Sequence, residues 1–226
     1  MPHRIRVWDL PTRLFHWSLV ACVAGLVATG YRGGAALEWH ARIGYAVLTL
    51  LLFRLVWGFA GGHWSRFASF VRGPAQIAAY LRGDLRADSM PGHNPLGALS
   101  VLAMLALLLA QVATGLVGDD EVSFTGPLNR FVSSATGLAA TWYHKRVGQW
   151  VIIVLVVLHV AAVLFYLWKR GENLVRPMVQ GDKIVGGGSA MVASRDDWRS
   201  RAAALLVLLG CAGAVVTLVQ LGRSTA

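Results

Sequence analysis

The stretch Trp39-His40-Ala41-Arg42-Ile43-Gly44 returns in nearly the same form as Tyr143-His144-Lys145-Arg146-Val147-Gly148. Each copy reads aromatic-His-x-Arg-aliphatic-Gly, and each opens a long apolar run. In a helix, the histidine and the glycine four positions later share one face, so an imidazole stands beside a position without a side chain. A flat macrocycle can approach the backbone there, and two such helices could hold one haem iron between His40 and His144. The alternative is two helix-start histidines that bond locally, with Gly44 and Gly148 serving helix packing.

The composition is that of a membrane protein. Of the 226 residues, 56% are hydrophobic and only 14% are charged, and the mean hydropathy is +0.55. Such a chain cannot cover a soluble globule with polar side chains. A helix crosses the bilayer with about 20 apolar residues. We therefore predict spanning helices at residues 14–31, 43–60, 96–118, 147–168 and 202–221.

The distribution of basic residues predicts the orientation. Of the 21 lysines and arginines, fourteen fall in segments on one side of the predicted membrane and six on the other, while Arg54 lies within helix two. The positive-inside rule then places the N-terminus in the cytoplasm and the C-terminus on the outer side of the membrane. The net charge of +10 therefore reports topology, and no nucleic-acid partner is expected.

Cysteine usage limits the type of haem. Cys22 and Cys211 both lie in apolar segments and are expected to be small buried hydrophobes. Because the chain contains no Cys-x-x-Cys-His, covalent attachment of a c-type haem is excluded.

A second histidine pair is predicted from depth in the membrane. His159 lies within a Val/Leu run, where an imidazole is costly unless it has a function, and His16 lies in the first turn of helix one. His159 follows His144 by 15 residues, or about 22 Å of helical rise. We therefore predict two layers, with His16 and His159 near the inner surface and His40 and His144 near the outer one. Two bis-histidine b haems without an open coordination position would transfer electrons rather than bind oxygen.

Three arginines are candidate partners of haem propionates. Arg42 and Arg146 accompany the outer histidines, and Arg54 lies lower in helix two. A charge inside a spanning helix must face the bundle interior or an anion. The alternative for Arg54 is an arginine that reaches the nearby inner interface.

The connecting segments carry less information. Residues 61–95 are interpreted as a basic connector, with a short amphipathic helix at 74–81 as the alternative. Residues 118–143 are expected to be an outer loop, and its acidic stretch Asp119-Asp120-Glu121 is either a solvated turn or a surface for a basic protein. The fifth predicted spanning helix, residues 202–221, is expected to pack against the other helices or to face a partner protein.

Several motifs together resemble the bacterial cytochrome b561 and nickel–iron hydrogenase cytochrome b family. They are Val7-Trp8-Asp9-Leu10-Pro11-Thr12-Arg13-Leu14-Phe15-His16-Trp17, His40-x-x-x-Gly44-Tyr45, Phe53-Arg54-Leu55-Val56-Trp57-Gly58, Gly92-His93-Asn94-Pro95-Leu96-Gly97, His144 to Gly148, Leu158-His159-Val160 and Glu172-Asn173-Leu174-Val175-Arg176. The resemblance implies a four-helix transmembrane core with two b haems and quinone exchange near one of them. It also makes His93, Asn94 and Gly97 candidates for an inner quinone pocket.

These observations lead to one expectation of architecture and function. We expect an all-α membrane protein with a four-helix haem-binding domain at 1–183, followed by a linker and a fifth helix at 184–226. It would carry electrons between a periplasmic partner, either a c-type cytochrome or a hydrogenase-like subunit, and the quinone pool. The alternatives are a stand-alone quinone-linked oxidoreductase acting on a small species, and a metal or proton permease that uses intramembrane histidines.

Overall fold

Five long helical segments dominate the computed structural model, which describes residues 3–84, 91–185 and 191–223. In chain order the helices are α1 (Leu10–Arg32), α2 (Ala36–Ala60), α3 (Phe67–Phe70), α4 (Pro74–Leu81), α5 (Pro95–Val117), α6 (Ser134–Tyr143), α7 (Gln149–Lys169), α8 (Val175–Gln180) and α9 (Trp198–Arg223). A π-helical turn, His144–Gly148, joins α6 and α7 into one helix. This joined helix, α1, α2, α5 and α9 are each long and apolar enough to cross a membrane. The predicted all-α membrane fold with five spanning helices is confirmed.

A small antiparallel sheet accompanies the helices. β1 (His3–Arg6) pairs with β2 (Asp182–Val185), and Arg6 lies opposite Asp182. The guanidinium of Arg6 also forms an ion pair with that carboxylate at 2.9 Å. Beside the sheet lies a buried apolar cluster of Ile5, Val7, Trp8 and Val185. β2 continues past the boundary between residues 183 and 184 that separates the two predicted domains.

The chain divides into two compact units. The first comprises Met1–Phe15, Arg54–Ala103 and Leu158–Leu206, and the second comprises His16–Phe53, Met104–Val157 and Val207–Ala226. Each long helix contributes residues to both units. Among the candidate site residues, His40 and His144 belong to the second unit, whereas Arg54 and Asn94 belong to the first.

A buried carboxylate, Asp9, is a centre of hydrogen bonding in the first unit. Its side chain is fully buried at the residue before α1. One oxygen accepts the Thr12 N–H at 2.8 Å and so caps the helix. The other accepts the Gly62 N–H at 3.0 Å, the Ser65 hydroxyl at 2.9 Å and the Trp57 indole N–H at 3.3 Å. These bonds connect the start of α1 to the end of α2 and to the turn that follows it.

The segment before the fourth spanning helix is more helical than predicted. We expected a loop over 118–143, but α6 begins at Ser134, and Ser133 Oγ accepts the Thr136 N–H at 3.2 Å as its N-cap. This first part carries Thr, Gly and Ala instead of a Val/Leu run, so hydropathy alone placed the helix start too late.

The acidic stretch within the remaining loop forms a turn. Asp120 accepts the backbone N–H groups of Val122, Ser123 and Phe124 and forms an ion pair with Lys145 at 3.1 Å. The Ser123 N–H above all, together with these other donors, holds the pKa of the Asp120 carboxyl below its ordinary value. The charge of Asp120 is therefore engaged within the chain.

Residues 74–81 form helix α4, so the preferred interpretation of this stretch as part of a plain connector is wrong. Pro74 occupies the first turn after Gly73, where its missing N–H costs no helical hydrogen bond. At the other end, the Tyr80 and Tyr166 hydroxyl oxygens lie 3.0 Å apart. Burial, followed by this hydrogen bond, raises the pKa of Tyr80 to about 12. The contact with Tyr166 gives α4 a packing partner that its sequence did not reveal.

Replacing Asp9 with asparagine should destabilise the protein. The amide of Asp9→Asn turns a donor towards groups that themselves donate, and an unsatisfied buried polar group costs about 1–3 kcal/mol. The melting temperature of the helical circular-dichroism signal in detergent should therefore fall. The matched control is Asp84→Asn, because the Asp84 side chain is 60% exposed in its ion pair with Arg82. Equal melting temperatures for the two variants would contradict the role given to Asp9.

Candidate haem site

The structure brings the rings of the repeated histidines His40 and His144 next to each other within the second unit. Their ring centroids are 6.0 Å apart and their planes cross at 74°. His40 lies in the second turn of α2, and His144 begins the π-helical turn between α6 and α7. Both are therefore inside helices and not at helix starts, which argues against the interpretation as end-of-helix histidines that bond locally.

Backbone carbonyls of two other helices orient the two imidazoles. His40 Nδ1 lies 3.0 Å from the carbonyl oxygen of Leu26 in α1, and His144 Nδ1 lies 2.9 Å from the carbonyl oxygen of Gln111 in α5. A carbonyl can only accept, so Nδ1 carries the proton in both rings. In a neutral imidazole this leaves the Nε2 lone pair as the metal ligand, which is the usual arrangement of a metal-binding histidine.

The separation of the rings fits a single metal between them. A metal–imidazole bond is about 2 Å long and the ring nitrogen lies about 1.1 Å from its ring centre, so two axial imidazoles on one metal have centroids about 6.2 Å apart. The separation of 6.0 Å between His40 and His144 is close to this value. The donor set of two neutral imidazoles suits a low-spin haem iron.

A second repeat surrounds the ligands, and sequence reasoning missed it. Val27-Ala28-Thr29-Gly30 in α1 and Val112-Ala113-Thr114-Gly115 in α5 are identical tetrapeptides. In each, the glycine lies against a histidine ring. A Cβ added at Gly30 would stand 3.3 Å from the His40 ring, and one at Gly115 would stand 3.2 Å from the His144 ring. A search for short identical words among the predicted helices would have found this pair.

Gly44 and Gly148, the glycines of the repeat that contains His40 and His144, have different surroundings. Gly44 lines a cavity that also exposes His40 and His144, and a Cβ there would meet nothing within 4 Å. This matches the expected open space for a macrocycle. Gly148 is buried, and a Cβ there would collide with the side-chain oxygen of Gln111. Gly148 therefore serves close helix packing, which is the alternative given for it above.

Gln111 stabilises the unusual backbone at His144. Its side-chain amide donates to the His144 carbonyl oxygen at 3.0 Å, and the Gln149 N–H bonds to the same oxygen across the π-helical turn. Such turns are rare and occur often at functional sites. Gln111 thus contacts His144 twice, because its own carbonyl also accepts the imidazole N–H.

Arg42 and Arg146, which the sequence made candidate partners of haem propionates, are both exposed. Arg42 forms an ion pair with Glu38 and lies over the Trp39 ring at 5.1 Å. Neither arginine is among the described residues that line the cavity, whereas Lys145 is.

Arg54 is buried within the first unit, with 3% of its surface exposed. Its guanidinium carbon lies 4.9 Å from the centroid of the Phe67 ring. Among the described residues no acceptor lies within hydrogen-bonding distance of Nη1, although the carboxylate of Asp9 interacts favourably with the charge. Arg54 therefore faces the interior, as a charge in a spanning helix should.

The remaining predicted ligands fall in different units. His16 belongs to the second unit, half-buried beside the Trp17 ring at a centroid distance of 5.1 Å. His159 is half-buried in α7 and belongs to the first unit. Their pairing stays a prediction.

The three residues of the expected quinone pocket lie together at the start of α5. Asn94 caps this helix, because its side-chain oxygen accepts the Gly97 N–H at 2.8 Å. The amide nitrogen of Asn94 donates to the Tyr166 hydroxyl at 2.6 Å. The His93 ring lies between those of Trp8 and Phe70, at centroid distances of 4.7 and 4.8 Å. Helix capping and ring packing therefore account for part of this motif.

Known proteins resemble the chain over most of its length. Residues 7–181 match the family model described as prokaryotic cytochrome b561. A probable Ni/Fe-hydrogenase B-type cytochrome subunit of Azotobacter chroococcum mcd 1 is 27% identical over 229 residues, covering 85% of this chain and 91% of the relative. The subunit of the same name from Azotobacter vinelandii is 28% identical over 232 residues, with the same coverage of 85% and 91%.

A more distant relative shares the same kind of name. The probable Ni/Fe-hydrogenase 1 B-type cytochrome subunit of Escherichia coli (strain K12) is 26% identical over 210 residues, covering 77% of this chain and 88% of the relative. No solved structure matches the chain.

The family match and the crossed histidines agree on the cofactor. A b-type cytochrome carries haem b, and two neutral imidazoles at the separation of His40 and His144 are a ligand set that suits it. Electron transport through a multi-pass membrane protein follows from the same match and from the five apolar helices. The chain belongs to the prokaryotic cytochrome b561 family.

Proposed function

We propose that the chain is a dihaem cytochrome that carries electrons across the bacterial inner membrane between a periplasmic redox partner and the quinone pool. The observation that carries this proposal is the pair of crossed imidazoles, each held by a carbonyl on its Nδ1 side. Bound haem supplies reversible one-electron chemistry. If His40 and His144 both hold the haem iron, no site on it would remain for oxygen or substrate.

His16 and His159 are proposed as the ligands of the second haem. His159 follows His144 by 15 residues in the same long helix, which corresponds to about 22 Å of rise and favours a second layer. Both imidazoles lie in apolar helices, where a histidine without a function is disfavoured. By the positive-inside rule, we propose that this second layer lies on the cytoplasmic side and that the C-terminus lies in the periplasm.

Cationic side chains are proposed to neutralise haem propionates. Arg54 supports this because its Nη1 is buried without an acceptor among the described residues, and an anionic oxygen would satisfy it. Near the first pair, Lys145 lines the cavity, while Arg42 and Arg146 would have to turn inward from exposed positions. Lys145 is therefore the better-placed cation there, although it is exposed too and would have to leave or share its ion pair with Asp120.

A hydrogenase-like subunit is proposed as the periplasmic partner. The relatives that match most of the chain are probable hydrogenase cytochrome subunits by name. A soluble basic c-type cytochrome would have to bind the acidic turn. That is the weaker choice, because Asp120 already bonds to three backbone N–H groups and to Lys145.

Quinone is proposed to exchange electrons near His93, Asn94 and Gly97. The Asn94 amide and the Tyr166 and Tyr80 hydroxyl groups form a continuous chain of hydrogen bonds at 2.6 and 3.0 Å. Such a chain can donate to a carbonyl oxygen and pass a proton to it. The His93 ring between Trp8 and Phe70 adds an aromatic wall.

Single histidine variants should separate the two haems. His40→Ala or His144→Ala removes one axial ligand of the outer haem, so the purified protein should retain one haem per chain by its reduced-minus-oxidised spectrum. His16→Ala or His159→Ala should remove the other haem instead. His63→Ala is the control, since this histidine lies in a short turn against Trp64, and it should retain both. Retention of both haems in His40→Ala and His144→Ala would contradict the proposal.

Partner and quinone can be tested in one kinetic experiment on native membranes. Hydrogen gas should reduce the b haems of the wild-type chain, and added quinone should then oxidise them. Asn94→Ser keeps an oxygen that can cap α5 but loses the amide, so it should leave reduction unchanged and slow the oxidation by quinone. Absence of reduction by hydrogen would contradict the hydrogenase-like partner. Oxidation as fast as in the wild type would remove Asn94 from the quinone site.

A further inference from the structure

The identical tetrapeptides Val27-Ala28-Thr29-Gly30 and Val112-Ala113-Thr114-Gly115 place a threonine hydroxyl beside each ligand histidine. Thr29 Oγ1 lies 3.3 Å from His40 Nδ1, and Thr114 Oγ1 lies 3.3 Å from His144 Nδ1. A threonine hydroxyl of one helix therefore lies beside the Nδ1 of a histidine from another helix at two separate places. Neither threonine is needed to bind an iron, so the repetition calls for another role.

The protons of both hydroxyl groups are directed back into their own helices. Thr29 donates to the Gly25 carbonyl at 2.7 Å, and Thr114 donates to the Gln111 carbonyl at 2.8 Å or to the Ala110 carbonyl at 3.0 Å. With its proton used in this way, each hydroxyl can turn only a lone pair towards the imidazole N–H. The N–H then has two acceptors, the backbone carbonyl at about 3 Å and the threonine oxygen.

We propose that Thr29 and Thr114 are positioning residues that increase electron donation from His40 and His144 to the haem iron and so lower its reduction potential. The inference rests on the proposed function, in which these histidines are the axial ligands. A hydrogen bond accepted from Nδ1–H makes the imidazole a more basic ligand. A more basic ligand stabilises the ferric state, because that state carries the extra positive charge.

The two threonines differ in their hydrogen bonds, and the difference predicts which Thr→Val substitution shifts the midpoint potential more. Thr29 donates mainly to Gly25, and its distance to the Leu26 carbonyl that accepts from His40 is 3.3 Å. Thr114 Oγ1 lies 2.8 Å from the Gln111 carbonyl oxygen, the same oxygen that accepts from His144, and 3.0 Å from the Ala110 carbonyl oxygen. Removing the Thr114 hydroxyl therefore also frees the Gln111 carbonyl for a stronger bond to His144. This partly compensates for the lost acceptor.

The test is a redox titration of the purified holoprotein, following the haem component that His40→Ala abolishes. Thr29→Val and Thr114→Val keep the side-chain shape and remove the oxygen. Both should raise the midpoint potential of that haem, and Thr29→Val should raise it more. Thr29→Ser restores a hydroxyl and should return the potential towards the wild-type value. The matched control is Thr49→Val, since Thr49 in α2 donates to the Tyr45 carbonyl at 3.0 Å in the same kind of helix bond.

Each outcome decides the question. An upward shift in the two valine variants that exceeds the shift in Thr49→Val supports the proposal. Loss of this haem in the two valine variants alone would show a purely structural role and would count against it. Potentials equal to that of Thr49→Val, a downward shift in Thr29→Val, or equal haem loss in all three variants would overturn it. If His40→Ala and His144→Ala retain every haem, the ligand assignment fails and this inference fails with it. If His40→Ala and His144→Ala each lose one haem while the midpoint potentials of the valine variants do not shift, only the role of the threonines fails.

Discussion

The hydrogen bond from an imidazole N–H to a backbone carbonyl is the constraint on which the site depends. It occurs twice, from His40 to Leu26 and from His144 to Gln111, and each time it joins one spanning helix to another. A helical carbonyl already accepts within its own helix, so this second donor adds a contact without breaking the helix. The bond selects the tautomer and limits the rotation of the ring, and it leaves the Nε2 lone pair free of a proton. The pair of neutral imidazoles proposed to bind haem is thereby held in place by backbone carbonyls of two other helices.

Close packing is required around these bonds. Gly30 and Gly115 let the helices that supply the carbonyls approach the rings to van der Waals distance. Gly148 lets Gln111 lie against the helix that carries His144, where its amide stabilises the π-helical turn. Gly44 differs from these three, because the space beside it is open. The glycines near His40 and His144 therefore fall into two kinds, those that allow close helix contact and one that leaves open space.

The sequence predicted the class of fold and the pairing of His40 with His144, because hydropathy and a repeated motif are local signals. It placed helix starts too late at Ala36 and Ser134, since polar and small residues at a helix end lower the local hydropathy. The π-helical turn at His144 could not be predicted, because it depends on an amide from α5 that contacts it across the bundle. Asp9 received no role from the sequence, because its partners Gly62 and Ser65 are more than fifty positions away.

Electron paramagnetic resonance of the oxidised protein tests the crossed imidazoles most directly. Rings that cross at 74° leave two iron d orbitals nearly equal in energy, whereas parallel rings separate them. The account predicts a low-spin ferric signal with one dominant large g value, and this component should be missing from His144→Ala protein. A spectrum in which every low-spin component has three well-resolved g values, or a high-spin signal from the haem that depends on His144, would contradict it.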